Sequence, residues 1–407
     1  MTRILFVHRH GPGQFVHLAT HLAQRGEEVT LLCESADQPM PGVRVIRHRQ
    51  VGQQGPDGTA TDYHLRLGTE VAHVLAALRR QEGAPDLIVG HGGWGSLLFA
   101  KDVFPATPQL NYCEFFYQPK GADVGFDPEA PTRLTDVSKL KARNFAQIST
   151  LMHMDAGISP TQWQKSLFPK PLRHRIGVVH DGIDTGFCRP DAGAGFTLPD
   201  GRTLRAGDPV VTYAARNLEP YRGFPQFMRA AAELARTNPH VVFLVAGGEA
   251  TSYGPSPADG RTWRQVMMDE TGMDPARIHF LGTLPHAELI RLFQVSAAHV
   301  YLTYPFVLSW SMLEAMASGA LIVGSATAPV TEYITHGRNG LLVPFFDTQA
   351  LTQTLRDALQ TRQSLAPMRA AARRTVEERA RLEDCLQLQV RALATVLARS
   401  KTRSQVV

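Results

Sequence analysis

The first part of the chain alternates short apolar runs with segments of helical periodicity. The run "ILFVH" (4–8) is followed by "FVHLATHLAQRG", whose apolar residues recur at helical spacing, and then by "EVTLLCE". The runs "DLIVGH" (86–91) and "PQLNYCE" (108–114) continue the series. Near-continuous apolar strands joined by helices are typical of a parallel sheet that is covered on both faces. The pattern therefore predicts a doubly wound α/β domain.

A second series of the same kind occupies the later part of the chain. Its apolar runs are 209–216, 240–248, 277–282, 298–304, 320–325 and 339–344. The segment between the two series, 181–208, is rich in Gly, Asp and Pro and lacks periodicity, which makes it the best linker candidate. We expect two Rossmann-like doubly wound domains that face a central cleft, with ligands at the carboxyl ends of the strands.

The length of 407 residues also favours two domains. We place them at 1–185 and 186–380. A C-terminal helix follows within 381–407, with its amphipathic part at 382–399, and packing back on the N-terminal domain is one option for it. No apolar run reaches the roughly 20 residues of a membrane-spanning helix. The first residues lack a signal-peptide pattern and the four cysteines are scattered, so we expect a cytoplasmic protein without disulfides.

The positive charge is concentrated near the end of the chain. The net charge is +5, and the segment 356–403 alone holds eleven Lys and Arg against five Asp and Glu. Such a segment is either a solvated helix face or a surface attracted to anionic lipid, which would place the protein peripherally at the inner face of a membrane. Nucleic acid is a less favoured partner, because no aromatic-interleaved basic motif accompanies the charge.

Two features of the first domain suggest ligand contact. Gly11 and Gly13 follow the first strand, but Val16 stands where a dinucleotide fingerprint needs a third glycine. The two glycines serve either a tight turn or close approach of a ligand. His91 ends an apolar strand and precedes a glycine-rich turn. A lone histidine is usually structural, but its expected position at the cleft favours a functional role.

In the second domain the stretch "AARNLEPYRGF" (214–224) follows a strand and opens a helix. Its cations, Arg216 and Arg222, are either solvated or converge on one anion, and the fork geometry of arginine suits phosphate oxygens. Gly248 ends the next strand and permits close backbone approach. Glu314 is expected in the first turn of the helix "SMLEAMASG", where an acid suits the helix dipole.

Several chemistries find no support in the sequence. It contains no H-E-x-x-H, C-x-x-C or D-x-D motif, so neither a metal site nor a metal-dependent reaction is predicted. It also lacks a P-loop and the G-x-S-x-G elbow of hydrolases.

The chain resembles the retaining family 4 nucleotide-sugar glycosyltransferases of the GT-B fold, and its opening 30 residues look like a bacterial subgroup. The similar stretches include "ARNLEPYRGF", "RIHFLGTLPHAELIRLF" and "LEAMASGALIVGSATAPVTEYITHGRNGLLVP". The resemblance implies that 1–185 is the acceptor-side domain and 186–380 binds the donor nucleotide sugar. It implies a hexosyltransferase-type, metal-independent enzyme without a cofactor.

The resemblance also implies roles for individual residues. Arg216 and Arg222 would hold the donor diphosphate and serve catalysis, and His91 would contact the donor sugar and also serve catalysis. Glu314 matches the second glutamate of the family's E-x7-E element, which binds ribose. The remaining donor contacts would come from Gly11, Gly13, Gly248, from backbone groups between Leu281 and Leu284 near the base, and from Phe306, Val307, Leu308 and Ser309.

One position departs from the family pattern. The first glutamate of E-x7-E would fall at Phe306, or at Tyr304 if the loop is two residues longer, and neither is acidic. We expect the backbone of "PFVLSW" to contact the sugar instead. The leading interpretation is sugar transfer to a glycan, lipid-linked or small-molecule acceptor, in bacterial surface polysaccharide or glycolipid synthesis. The alternatives are a non-catalytic GT-B partner protein and a GT-B epimerase or phosphorylase.

Overall fold

The computed structural model describes residues 1–36, 39–52 and 60–404. For residues 401–404 it describes the backbone alone. The chain forms two compact units. The first contains residues 1–182 and the segment that begins at Leu382, and the second contains Ile183–Arg381. The predicted boundaries lay after residues 185 and 380.

The first unit is built on a seven-stranded parallel sheet in the order β5-β3-β1-β6-β7-β8-β9. The four predicted apolar runs form β1, β3, β6 and β7, and the two-residue strands β2 and β4 pair separately. The strands β8 and β9 and the edge strand β5 escaped prediction; in β5 three of the five residues are exposed and none is buried. The strands are β1 Arg3–Val7, β2 His10–Gly11, β3 Glu28–Cys33, β4 Ser35–Ala36, β5 Val43–Arg47, β6 Leu87–His91, β7 Gln109–Tyr112, β8 Ala156–Ser159 and β9 Ile176–Val178.

Helices cover both faces of this sheet, as parallel strands require. They are α1 Val16–Gln24, α2 Ala60–Glu82, α3 Ala100–Val103, α4 Leu134–His153 and α5 Gln162–Ser166. Short 3₁₀ turns stand at Gly13–Phe15, Gly92–Trp94 and Lys170–Arg175. One core cluster centres on Phe6 and Leu31, and a second lies on the other face around Leu67 and Ile88.

The second unit contains a six-stranded parallel sheet in the order β14-β13-β12-β15-β16-β17. All six predicted runs form strands. The strands are β10 Gly195–Thr197, β11 Thr203–Arg205, β12 Val210–Asn217, β13 Val242–Gly248, β14 Ile278–Phe280, β15 Ala298–Tyr301, β16 Ile322–Ser325 and β17 Leu341–Val343. The helices are α6 Phe224–Thr237, α7 Trp263–Thr271, α8 His286–Val295, α9 Trp310–Ala317, α10 Ala328–Thr331, α11 Thr348–Gln360 and α12 Ala366–Arg379.

The predicted linker, 181–208, is only partly a linker. The change of unit falls at its start, but the antiparallel hairpin of β10 and β11 belongs to the second unit. Phe196 and Leu198 of this hairpin are buried in the core of that unit. Glycine and aspartate occupy the turns of the hairpin, and they masked its short apolar pattern in the sequence.

The last helix, α13 (Leu382–Ser404), belongs to the first unit. Leu386, Leu393 and Val396 lie in the same core cluster as Leu18 of α1. Burying one such side chain stabilises a fold by about 1.5–3 kcal/mol. The prediction of two doubly wound α/β domains with a C-terminal helix is confirmed. Among the described residues, no helix is both long and apolar enough to cross a bilayer.

Candidate functional site

Three neighbouring strands of the first unit end at one cluster of polar side chains. The strands β1, β6 and β7 are adjacent and parallel, so their carboxyl ends meet at the same edge of the sheet. His8 follows β1, His91 ends β6, and Glu114 lies two residues beyond β7. Both histidines are buried, and the ring of His91 stacks on Trp94 with centroids 4.0 Å apart.

The hydrogen bonds around His91 define its proton positions. Its Nδ1 accepts a hydrogen bond from the backbone N–H of Gly93 at 3.0 Å. The other nitrogen, Nε2, therefore carries the proton and donates to Oε2 of Glu114 at 3.3 Å. Both ring nitrogens are engaged within the protein, so a ligand contact from His91 requires the ring to exchange one of these partners.

His8 is held in the same manner. Its Nδ1 accepts from the backbone N–H of His10 at 3.1 Å, and its Nε2 lies 2.9 Å from Oε1 of Gln14. The amide nitrogen of Gln14 donates to Oε1 of Glu114 at 2.6 Å. Both carboxylate oxygens of Glu114 thus accept side-chain hydrogen bonds, and one connected network joins the ends of three strands.

The charges in this network follow from burial and from the donors. Burial, and after it the charge of His91, lowers the pKa of His8 to about 3. Burial raises the pKa of Glu114, but the hydrogen bonds from His91 and Gln14 and the charges of His91 and His8 outweigh it, so the net shift is downward. At neutral pH the cluster therefore holds a neutral His8 and an ionised Glu114.

The predicted glycine loop is part of the same cluster. Gly13 has a φ of +53°, and a Cβ on it would lie 2.4 Å from the ring of His8. A Cβ on Gly11 would lie 2.7 Å from Leu31. Internal contacts thus explain both glycines without a ligand. Glu114, Gln14 and His8 were not predicted as site residues from the sequence, although Glu114 closes the run "PQLNYCE" and so stands at a strand end.

Arg222 is the central cation of the second unit. It ends the 3₁₀ turn Pro220–Arg222 that follows β12, and Gly223 then adopts a φ of +69° to start α6. The Arg222 side chain is folded inward, since the residue is only 9% exposed. Its Nη1 donates to Oγ1 of Thr303 at 2.8 Å and to the carbonyl of Val307 at 3.1 Å.

This buried cation has no counter-ion. Within the part of the chain that the structure describes, Arg222 forms no ion pair. The nearest acid in sequence, Glu219, directs Oε2 to the backbone N–H groups of Ser252, Tyr253 and Gly254. Burial lowers the pKa of Arg222, but the nearby tyrosines and Glu219 raise it more, so the guanidinium stays charged. A buried charge is costly until it is paired, so the site favours an anion.

The other predicted donor residues surround the ends of β12, β13 and β14. Arg216 is exposed near the end of β12, and Gly248 ends β13, where a Cβ would lie 2.5 Å from Oδ1 of Asn217. Leu281 and Leu284 follow β14 and are half-buried. The N–H of Leu281 is bonded to the carbonyl of Val245, so base contacts in this segment fall to its remaining backbone groups.

The segment before α9 is more internal than expected. Phe306 is buried against Tyr253 and Tyr221, with ring centroids 4.8 and 5.8 Å away. Leu308 belongs to the core of the unit. The carbonyl of Val307 is bonded to Arg222, as described above. Ser309 caps α9, and its backbone N–H donates to the hydroxyl of Tyr301 at 2.8 Å.

Tyr304 and Phe306, the two candidates for the missing first glutamate, are both buried aromatic residues. The ring of Tyr304 stacks on Tyr221 with centroids 4.7 Å apart, and the guanidinium of Arg222 lies 5.8 Å from the ring of Phe306. Aromatic side chains therefore occupy both positions considered for the first glutamate, and neither position offers a carboxylate to the donor sugar.

Glu314 does not lie in the first turn of its helix, and that expectation is wrong. Helix α9 begins at Trp310 because Ser309 is its N-cap, so Glu314 is the fifth residue and buried. The dipole explanation for this acid is therefore removed. Its Oε1 accepts from Nε2 of His286 at 2.8 Å, and this hydrogen bond raises the pKa of His286.

One group of side chains in the described residues is compact enough to hold a metal ion. The ligand atoms of Cys188, His286 and Glu314 all lie within 4.8 Å of one another. Burial raises the pKa of the Cys188 thiol, and the nearby Glu314 raises it further, so a metal would have to displace a firmly held proton.

Comparison with known proteins agrees with this division of the chain. Residues 25–188 match the model of the glycosyl transferase family 4 group, and residues 199–375 match that of the glycosyl transferases group 1. The D-inositol 3-phosphate glycosyltransferase of Mycobacterium tuberculosis is 28% identical over 353 residues, or 80% of this chain. The match spans 66% of the length of that relative.

Solved structures of the same fold cover nearly the whole chain. The sucrose-phosphate synthase of Thermosynechococcus elongatus has a TM-score of 0.73 at 18% identity and covers 97% of this chain and 99% of its own. HepE of Anabaena, solved in complex with UDP-glucose, has a TM-score of 0.68 at 18% identity, with 97% and 100% coverage. At such identities these matches show the GT-B fold alone.

Proposed function

The chain belongs to the family 4 glycosyltransferases, and from this premise we propose that it moves a sugar from a nucleoside diphosphate sugar to an acceptor hydroxyl. The configuration at the anomeric carbon would be retained, and no metal ion or cofactor would be needed. The acceptor would be a glycan, a lipid-linked sugar or a small molecule in bacterial surface polysaccharide or glycolipid synthesis. The UDP-glucose bound by HepE supports the donor class.

The observation that carries this proposal is the unpaired charge of Arg222. A diphosphate supplies the anion that the buried guanidinium lacks, and the planar fork suits two phosphate oxygens. Arg216, exposed near the end of β12, the strand that precedes Arg222, would add a second cation. Because two fixed cations would neutralise the diphosphate, the reaction would not depend on Mg²⁺.

The chemistry would place the largest demand on Arg222. The acceptor oxygen would attack the anomeric carbon on the face from which the diphosphate departs, and the carbon–oxygen bond to phosphate would break. The acceptor's proton would pass to the departing phosphate oxygen, which gives a glycoside and a nucleoside diphosphate. Negative charge grows on the phosphate during this step, so a fixed cation stabilises the transition state more than the ground state.

Calorimetry of UDP, GDP, ADP and TDP binding tests the proposal, with each titration repeated in excess EDTA. We expect one nucleotide to bind equally with and without EDTA. Arg222→Gln should weaken binding strongly, whereas Arg229→Gln should not, because Arg229 is an exposed partner of Glu270. Binding that EDTA abolishes would contradict the metal-independent site.

Product analysis separates the proposed transfer from the alternatives. Incubation with the nucleotide sugar of the bound base and a panel of acceptors should yield a glycoside of unchanged anomeric configuration. Release of altered sugar without an acceptor would indicate an epimerase, and dependence on inorganic phosphate would indicate a phosphorylase. Tight nucleotide binding with no turnover of any donor would indicate a non-catalytic partner protein.

A further inference from the structure

Helix α4 of the first unit turns an apolar stripe to solvent. Phe145, Ile148 and Met152 follow at helical spacing, and Leu134 lies three turns before Phe145 on the same side. These residues are 55%, 45%, 59% and 83% exposed, in the order named. They are four of the eleven large apolar residues that are exposed in the described part of the chain, so the clustering on one helix is unusual.

The stripe is not a misplaced core face. The opposite side of α4 already faces the interior, with Leu140 and Leu151 buried. Asn144 of that side bonds to both backbone groups of Tyr117, at 3.2 Å to its nitrogen and 2.8 Å to its oxygen. The helix is therefore anchored by one face and carries a second apolar face that the fold does not use.

Positive charge is concentrated on the same helix. Arg133, Lys139, Lys141 and Arg143 are exposed at the N-cap and along the first half of the helix. None of these four cations forms an ion pair with any described residue. The single acid of the helix, Asp136, accepts a hydrogen bond from the backbone N–H of Arg133 at 2.9 Å and caps the helix. At helical spacing Lys141 falls on the same side as the stripe, whereas Arg143 points away from it and lies over the ring of Tyr117, 5.3 Å from the centroid. The helix that carries the stripe thus has an excess of exposed positive charge.

The basic segment 356–403, for which the sequence left a lipid surface as one option, differs from α4 in the contacts of its cations. Arg369, Arg373 and Arg379 of α12 donate to the carbonyls of Ala297, Ala317 and Glu332 at 3.0, 2.6 and 2.6 Å. Part of its charge therefore serves the second unit internally, and the side chains of 401–403 lie outside the described residues. Among the described side chains of this segment, Leu388 is the one large apolar residue that is exposed.

We propose that α4 lies on the surface of an anionic lipid bilayer, with Leu134, Phe145, Ile148 and Met152 in the interface and the flanking cations against lipid phosphates. An amphipathic helix with a basic edge binds such surfaces by combining apolar burial with electrostatic attraction. The 20-residue helix is about 30 Å long, which suits binding parallel to the surface. The inference does not rest on glycosyl transfer, and its test needs no substrate.

Sedimentation of the full chain with vesicles tests this surface. Wild type should bind vesicles that contain phosphatidylglycerol much more than vesicles of phosphatidylcholine alone. Phe145→Gln with Met152→Gln should lower partitioning about tenfold or more, because apolar burial is lost. Lys139→Glu with Lys141→Glu should lower it by about tenfold or more as well. All four positions are exposed, so circular dichroism should show unchanged folding.

Matched variants on α13 provide the control. Leu388→Gln and the pair Arg391→Glu with Arg399→Glu remove an exposed apolar residue and two exposed cations from another helix of the same unit. They should leave partitioning nearly unchanged. If these variants abolish binding while the α4 variants bind like wild type, the C-terminal segment is the lipid surface and the proposal is wrong.

A fluorescent label distinguishes insertion from loose attraction. The four native cysteines are free and buried, so Ile148→Cys can be labelled selectively with a polarity-sensitive dye. Emission should shift to the blue when anionic vesicles are added, whereas a label at Gln387→Cys should not respond. An unshifted label at position 148 contradicts the proposal. The proposal is also contradicted if the wild-type protein does not bind vesicles and is a dimer in light scattering, because the stripe would then be an interface between two copies.

Discussion

The two units place polar residues at the ends of parallel strands in opposite ways. In the first unit, His8, Gln14, His91 and Glu114 satisfy one another, and each proton position follows from the network. In the second unit, Arg222 is buried among neutral acceptors and forms no ion pair with any residue that the structure describes. One arrangement is complete without a ligand, and the other is electrostatically incomplete until an anion arrives.

This difference has energetic consequences. A satisfied network adds to the stability of the free protein, because each broken hydrogen bond leaves a buried group unpaired. An unmatched buried cation lowers the stability of the free protein and raises its affinity for an anion. We therefore expect the second unit to govern donor affinity and rate, and changes in the first network to act mainly on stability.

The largest expected effect is on the rate and follows Arg222→Ala. If this guanidinium stabilises charge on the departing phosphate as an oxyanion donor does, its removal should raise the activation free energy by about 2.7–4 kcal/mol. This lowers kcat about 10²–10³-fold. Steady-state kinetics with the identified donor provides the measurement. Arg222→Lys should recover part of the loss, because it keeps the charge without the fork.

Removing Arg222 also frees Thr303 and the carbonyl of Val307, so stability must be measured alongside. Thermal melting with and without nucleotide serves this purpose. A variant that folds, binds nucleotide like wild type and keeps its kcat would show that the guanidinium is a structural brace for the segment before α9.

The second effect should appear in KM and follows Glu314→Gln. Ribose does not change charge during transfer, so a ribose contact is nearly equal in the ground and transition states. Its loss should weaken donor binding by about 1.5–3 kcal/mol, which raises the donor KM and leaves kcat nearly unchanged. His286→Gln is the control, because it removes the present partner of Glu314 and keeps the carboxylate. Equal KM changes in both variants would assign Glu314 a purely structural role.

The framework of the fold could be predicted because it rests on local patterns. Ten apolar runs identified ten strands, since buried parallel strands are apolar along their whole length. The hairpin of β10 and β11, the edge strand β5, the strands β8 and β9 at the other end of the first sheet and the two-residue strands β2 and β4 were missed. The strands β5 and β11 contain no buried residue, β9 and β10 contain one each, and β8 is only four residues long, so tertiary contacts decide their structure.

The candidate site could be predicted only where one sequence motif carries it. The stretch "AARNLEPYRGF" pointed to Arg222, but not to its burial or to its lack of a counter-ion. Glu114 could not be singled out, because Gln14, which binds it, is 100 residues away in the sequence. Glu314 was placed one turn too early because Ser309, and not a later residue, caps the helix.

The third prediction concerns the stability of the first unit. Glu114→Gln keeps the shape of the side chain but replaces one acceptor oxygen by an N–H₂ group that faces the donor of Gln14 or His91. The free energy of unfolding should fall by about 1–3 kcal/mol, as for other buried groups left unpaired. Denaturant unfolding measures it, and Glu34→Gln, which changes the acid paired with Arg9 in the same unit, is a control.

The relation between kinetics and stability in this variant decides whether the comparison holds. If Glu114→Gln lowers stability but changes kcat and KM little, the network is a scaffold. If it abolishes turnover in a folded protein, His91 and Glu114 act on the substrate, and the first unit holds part of the chemistry.

The smallest effect should be the pH dependence of the second unit, whose sign is opposite to that of the first unit. His8 has a pKa below its usual value, so its contribution to stability is present above about pH 6.5 and is lost as pH falls toward 3. His286 has a pKa raised by Glu314, so its contribution is present below its unfolded value and is lost as pH rises through the raised one. The side chain of His286 is 57% exposed, so screening should keep this contribution below about 1 kcal/mol. Hydrogen exchange of α9 and of β6, measured between about pH 4 and pH 9, reports the two units separately. Protection of α9 should decline slightly with rising pH in wild type and stay constant in His286→Gln, while protection of β6 should not decline. If protection of α9 declines equally in both proteins, the ion pair with Glu314 is not its cause.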